Sequence, residues 1–299
     1  MRKRQKGKGL QVSLLHRAIS TVGVTRGRLM GSNWVGVKVF ANDKVALVSP
    51  SFDEKSLSLV KSALGVETLP VDVISSELHG VMIAGNNKGV LFPWNVDDDD
   101  LLEVKKSYDL NVGQLQTNYT ALGNLILANS FFALVYEGFD RETVRQISDV
   151  LGVEVERGRI GQYTTVGSLA VVTDRGLALP PSVSDEEAKE LEQKFKVRGD
   201  TATVNIGFNY LRLGLVANSF GALAGEASTG PELVSIERAL ALNQQRGLPS
   251  LGLSLSSRFI TNELRATTSH LRGKRKSGRW VLRPCFRKIR GGNQRKTCH

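Results

Sequence analysis

One phrase in this chain is written twice: LANSFFALVYE at 127–137 returns as VANSFGALAGE at 216–226. Aligning on the polar residue after the first apolar run extends the pair to five copies. They are KVFANDKVALV on Asn42, MIAGNNKGVLF on Asn86, LILANSFFALV on Asn129, LAVVTDRGLAL on Thr173 and GLVANSFGALA on Asn218, with spacings of 44, 43, 44 and 45 residues. Whatever this chain folds into must be assembled from five copies of one supersecondary unit.

Each phrase is two apolar runs around a short turn of Asn, Asp or Gly, which predicts a β-hairpin whose turn needs residues tolerant of positive φ. The same places are apolar in every copy. Two residues before the anchor stand Phe40, Ala84, Leu127, Val171 and Val216; five after it stand Leu47, Leu91, Leu134, Ala178 and Leu223.

A helix follows each hairpin. Positions 15, 18 and 22 after the anchor are Leu57, Val60 and Leu64; Leu101, Val104 and Tyr108; Val144, Ile147 and Leu151; Ala188, Leu191 and Phe195; Leu233, Ile236 and Leu240. Spacing of i, i+3, i+7 puts each trio on one helical face. Asp53 and Asp140 are placed to cap two of these helices, and Ser184 with Glu187 and Thr229 with Glu232 have capping-box spacing. Pro231 falls in a first turn, where a missing N–H costs little.

Four helices lead into a further extended stretch: VETLPVDVI, VGQLQTN, VEVERGRI and VRGDTATV. The fifth leads instead into NQQRGLPSLGLSLSS, which has no such stretch. Five ββαβ units closed on themselves need a fifth strand, because an open edge is a pairing hazard. VTRGRL, residues 24–29, supplies it from the N-terminus. The expected fold class is α+β: five ββαβ repeats of about 44 residues around a pseudo-fivefold axis. The repeats fall at approximately 35–79, 80–122, 123–166, 167–210 and 211–242, with 24–29 as closing strand.

Charge divides the chain in the same way. The formal +11 hides +8 over residues 1–34, −10 over 35–242 and +13 over 243–299. An acidic body carries two basic ends, so an argument for nucleic-acid binding from overall charge belongs to the ends. The expected domains are a basic, disordered N-terminal extension at 1–21, the repeat body at 22–242 and a basic tail at 243–299. The first twenty residues start basic like a secretory signal, but their apolar part is short and broken by Gln11, His16 and Arg17. No apolar run reaches the ~18 residues of a membrane span. Both cysteines, Cys285 and Cys298, lie in the tail, which leaves no disulfide framework for the body and fits a reducing cytoplasm.

Five ββαβ units about a pseudo-fivefold axis are the pentein arrangement. NYTALGNLILAN (118–129), TVGSLAVVTDRG (165–176) and STGPELVSIERAL (228–240) resemble the archaeal and eukaryotic translation initiation factor six family over roughly residues 22–242. The resemblance implies a monomeric, cytoplasmic anti-association factor. Such a factor binds the intersubunit face of the large ribosomal subunit, blocks joining of the small subunit, and in eukaryotes also acts in large-subunit biogenesis. The mechanism is steric and needs no cofactor. The family motif falls on Gly123 and Asn124, which it marks as ribosome-binding. The residues alone read as a glycine permitting a tight backbone path and an asparagine capping a turn. Thr229, Gly230 and Glu232 match a second motif that a helix start already explains. Both ends depart from the family pattern, and starting at Met30 would delete the closing strand.

Rival readings have little to stand on. Penteins also include amidinotransferases and deiminases with a nucleophilic Cys, yet 22–242 contain no cysteine and a single histidine, His79, read as a surface or turn residue. GNNKGVLF lacks the GK[ST] ending and the immediate helix of a phosphate loop. The aspartates at 97–100 stand at a helix start, where acids complement the dipole, rather than forming a metal site. The tail, with Trp280 and Phe286 among Lys and Arg, has the composition to grip rRNA. That leaves an rRNA-binding protein acting through its ends as the alternative function, and a non-functional extension as the other reading of the tail.

Overall fold

The computed structural model describes residues 23–242; the expectations for 1–21 and 243–299, with both cysteines, lie outside the described residues. In chain order, β1 (Val24–Gly27) precedes α1 (Val35–Lys38), β2 (Phe40–Ala41), β3 (Val45–Val48), α2 (Glu54–Leu64) and β4 (Glu67–Pro70). The unit then recurs as α3 (His79–Met82), β5 (Ala84–Gly85), β6 (Gly89–Pro93), α4 (Asp98–Ser107) and β7 (Asn111–Leu115). Next come α5 (Leu122–Leu125), β8 (Ile126–Ala128), β9 (Phe132–Tyr136), α6 (Arg141–Leu151) and β10 (Glu154–Gly158). These are followed by α7 (Val166–Leu169), β11 (Val171–Val172), β12 (Gly176–Leu179), α8 (Asp185–Phe195) and β13 (Arg198–Thr201). The described chain ends with α9 (Leu211–Gly214), β14 (Leu215–Ala217), β15 (Ala222–Gly225) and α10 (Gly230–Ala239).

The strands form five three-stranded sheets. In each, an antiparallel hairpin carries a third strand parallel to its second member: β4 on β3, β7 on β6, β10 on β9 and β13 on β12. On β15 that place is taken by β1, from the other end of the chain, in the register Val24↔Ala222 to Gly27↔Gly225.

No repeat owns its core. Residues of β3 alternate between two clusters: Ala46 and Val48 join α2 residues Val60 and Leu64, while Val45 and Leu47 join Val104 of α4. In β9, Ala133 and Val135 pack with Ile147 and Leu151, whereas Phe132 and Leu134 pack with Leu191 and Phe195. A strand covered on both faces needs an unbroken apolar run, which is why the second strand of each hairpin lacks polar alternation. Position 18 after each anchor, Val60, Val104, Ile147, Leu191 and Ile236, is buried in every helix. The helix starts are capped as their sequences indicate. Asp53 accepts from Ser56 N (2.6 Å) and Asp140 from Thr143 N (2.7 Å), and Thr229 with Glu232 forms a complete capping box. Ser184 caps α8, but Glu187 does not close a box; its Oε1 accepts from Gly161 N at 2.6 Å.

The anchors do more than turn the chain. Each asparagine accepts from its own hairpin through Oδ1, while its Nδ2 donates to the anchor carbonyl of the next repeat. Asn42 donates to Asn86 (2.9 Å), Asn86 to Asn129 (2.9 Å), Asn129 to Thr173 (3.2 Å) and Asn218 to Asn42 (3.1 Å). One residue further on a second polar circuit runs parallel. Asn87 Nδ2 donates to Asp43 (2.9 Å) and Asp174 (2.7 Å), Ser130 N to Asp174 (2.8 Å) and Ser219 N to Asp43 (2.7 Å). These bonds join four of the five junctions between neighbouring sheets, and Arg175 Nη1, donating to Ser219 O at 3.2 Å, bridges the fourth sheet to the fifth.

Candidate functional site

The one-turn helices α1, α3, α5, α7 and α9 precede the hairpins and were not expected, being too short to show helical periodicity. They too are linked cyclically. Six residues before the anchor stand Gly36, Gly80, Gly123, Gly167 and Arg212. A Cβ on Gly36 would overlap the carbonyl of Arg212, one on Gly80 that of Gly36, one on Gly123 that of Gly80 and one on Gly167 that of Gly123. Glycine is required in these four turns because backbone meets backbone there.

Gly123 is therefore fixed by packing: it is buried against the turn of the preceding repeat. Asn124, the next residue, is partly exposed, and its backbone N–H donates to Ala121 at 3.0 Å. The expected side-chain cap is absent: Asn124 Oδ1 is buried and receives no hydrogen bond. The equivalent places in the other turns are Val37, Val81, Ser168 and Leu213, so Asn124 and the buried Ser168 are polar where the other three are apolar.

Loops leading into three of the turns add an aromatic arc. Trp34 meets Phe208 edge-on at 4.7 Å, Phe208 lies 5.9 Å from Tyr210, and Tyr210 packs edge-on to Tyr163 at 5.7 Å. Trp34 is 40% exposed, and beyond it Ile206 is 75% exposed. Ile206 holds φ at 65°, between Asn205 at 49° and Gly207 at 85°. A β-branched residue in that region is strained, so the surrounding structure must impose it. Glu232 does so: its carboxylate accepts from Gly207 N (2.8 Å), Ile206 N (3.3 Å) and Thr203 Oγ1 (2.9 Å) while also closing the capping box with Thr229. Burial pushes the Glu232 pKa up, but donations from Thr229, Gly207 and Thr203 outweigh it and hold the carboxyl below its ordinary value. The Thr229–Glu232 motif thus starts a helix and also clamps the loop that presents Ile206.

His79 corrects its sequence reading. It is fully buried on α3, with Nε2 2.8 Å from the carbonyl of Val71. Burial lowers its pKa, and the Val71 contact and nearby Asp72 only partly oppose this. It ties a loop to the turn and faces no nucleophile.

Among the described residues no group of three or more His, Cys, Asp and Glu is placed to hold a metal, and no helix is long and apolar enough to cross a membrane. A cleft lined by Trp94, Gln116, Asn118, Tyr119 and Phe139 has Asp140 as its carboxylate, already committed to capping α6. The aromatic arc and Ile206 escaped sequence reading because their residues are scattered through 34–210. The available signal was that they sit where the five copies differ.

The profile of the eIF-6 family matches residues 24–239. Translation initiation factor 6 of Staphylothermus marinus is 38% identical over 221 residues, covering 73% of this chain and 97% of that protein. The proteins of the same name from Pyrococcus abyssi and Pyrococcus horikoshii are 39% and 40% identical, covering 71% and 70% of this chain and 95% and 94% of theirs. A crystal structure of the N-terminal domain of ArgZ aligns with 56% of this chain and 67% of its own at a TM-score of 0.36 and 17% identity, which is too distant to bear on fold or function.

Proposed function

Because this chain belongs to the eIF-6 family, we propose that it is a ribosome anti-association factor: a rigid body that binds the large ribosomal subunit on its intersubunit face and sterically prevents premature joining of the small subunit. Family membership over residues 24–239 carries the reading. As a member of a family of translation initiation factors it is not an enzyme. In this account residues 22–242 form a pentein that acts as a monomer in the cytoplasm, with a further part in large-subunit biogenesis.

The docking surface is the face of the five one-turn helices. A steric block must hold its shape against a large partner, and this face is braced by backbone contact in four of its turns. Asn124 is partly exposed there, and Gly123 serves by keeping the turn seated. Trp34 and Ile206 supply the apolar anchors on which interface energy concentrates. The −10 charge of residues 35–242 favours basic ribosomal proteins over bare rRNA phosphate as the surface touched.

Sucrose-gradient sedimentation with purified subunits tests this. The expected result is co-migration with the large subunit and fewer joined ribosomes. Failure of either overturns the proposal. Removing residues 243–299 separates the body from the tail: subunit binding should survive, and its loss would transfer the function to rRNA contacts made by the tail.

A further inference from the structure

We propose that Arg212 forms an oxyanion site at the seam between the fourth and fifth one-turn helices, taking a phosphate or carboxylate group on its guanidinium edge. The first observation is positional. Arg212 occupies the place that is glycine in the other four turns, where any Cβ would overlap the preceding turn. By the same cyclic order its Cβ is directed at the Gly167 turn, so this seam takes in a side chain where the other four leave no room for a Cβ.

The second observation lies on the hairpin side of the same seam. Four anchors reach the next repeat through a side-chain amide, but Thr173 has none; its hydroxyl turns back to its own hairpin, toward Gly176 O at 3.5 Å. The bridge across is instead Arg175 Nη1 to Ser219 O at 3.2 Å. Both devices that seal the other junctions are therefore replaced at one place.

The third observation is chemical. Arg212 is hemmed in by protein atoms yet keeps part of its surface accessible, as a side chain in a narrow opening does. Its Nε is sealed from solvent and finds no acceptor, and among the described residues no carboxylate pairs with it. Burial without a counter-charge pulls its pKa down to about 10, well above neutrality, so the group remains cationic. A residue needed only to fill the gap would be apolar, like its neighbours Leu211 and Leu213. A guanidinium presents a planar fork of donors that matches the two oxygens of a carboxylate or phosphate, and leaving its Nε–H buried and unused is costly. Arg212 stands on one of the one-turn helices proposed above as the docking face, and anion binding to the isolated protein is read without ribosomal subunits.

Thermal unfolding of the full chain at pH 7 tests it, comparing sodium phosphate, sodium acetate and sodium chloride at matched ionic strength. A ligand that binds only the folded state raises Tm in proportion to its occupancy. Phosphate binding to the basic ends is controlled by Arg212→Lys, which keeps the charge but removes the fork, and by Arg212→Gly, which gives the fifth turn the residue of the other four. The expected result is an oxyanion-dependent rise in Tm that is lost in Arg212→Gly and reduced in Arg212→Lys. A rise with phosphate alone identifies a phosphate group as occupant, and a rise with acetate a carboxylate. No rise with either anion, or an equal rise in native protein and Arg212→Lys, overturns the proposal; the lysine variant decides alone if the glycine variant does not fold.

Discussion

Replacing Asn86 by Thr and by Ala separates what an anchor does for its own turn from what it does for the next repeat. Asn86 is 4% exposed and its side chain makes four hydrogen bonds. Oδ1 accepts from Lys88 N (2.8 Å) and Gly89 N (2.9 Å), and Nδ2 donates to the carbonyls of Asn129 (2.9 Å) and Leu151 (3.0 Å). Threonine can replace the first pair, since Thr173 Oγ1 accepts from Arg175 N (3.1 Å) and Gly176 N (3.2 Å) in the native protein. It cannot replace the second. Asn86→Thr should therefore cost two donations to buried carbonyls, about 2 kcal/mol at roughly 1 kcal/mol each. Asn86→Ala also loses the turn acceptor and should cost about 4 kcal/mol. Urea unfolding followed by circular dichroism and tryptophan fluorescence gives both values, with the midpoint moving at constant slope. If Asn86→Thr stays within about 0.5 kcal/mol of native, the amide bridge between repeats contributes nothing and the cyclic reasoning fails.

Three other outcomes are expected. Gly123→Ala drives a methyl group into the carbonyl of Gly80 and should destabilise by about 1–3 kcal/mol in the same assay; a neutral result would mean that the turns are not in backbone contact. Ile206→Ser alters a residue that is 75% exposed, so stability should change by less than about 0.5 kcal/mol while sedimentation with large subunits weakens; unchanged co-migration removes Ile206 from the docking surface. His79 has its folded pKa lowered below the ordinary 6.5 by burial, so the unfolded chain binds the proton more tightly. Its contribution is complete above pH 6.5 and is lost as pH falls toward the folded value. His79→Gln should flatten the decline of stability between neutral and mildly acid pH, and an unchanged slope would place the titration elsewhere.

The hairpins and long helices could be read from the sequence because each is set by local periodicity, and five copies made the signal unambiguous. Leu57, Val60 and Leu64 are three residues of one face whatever surrounds them. Elements fixed only by neighbouring repeats could not be read so. Four residues such as His79–Met82 carry no periodicity, and the burial of His79 depends on the carbonyl of Val71 reaching its ring. Asn129 looks like a turn residue because half of it is one; its amide serves Thr173 and Phe195 in the next repeat. Of the candidate site residues, the sequence marked Gly123 and Asn124 but not which of them packs and which faces outward. The glycine column that answers this was written in the chain, at 36, 80, 123 and 167, and Arg212 stands out as its exception.

The pairing of β1 with β15 joins Val24 to Ala222, which sets a timetable for synthesis. A strand made at the beginning must wait, unpaired, until the last hairpin has left the ribosome, and each intervening repeat meanwhile exposes the sheet face meant for its successor. Such long-range pairing folds slowly and leaves edges open to misassembly. A chain stopped short of residue 225 would carry four hairpins and a strand with no partner, and a cell's quality control would meet it as unfinished protein rather than as a smaller working factor.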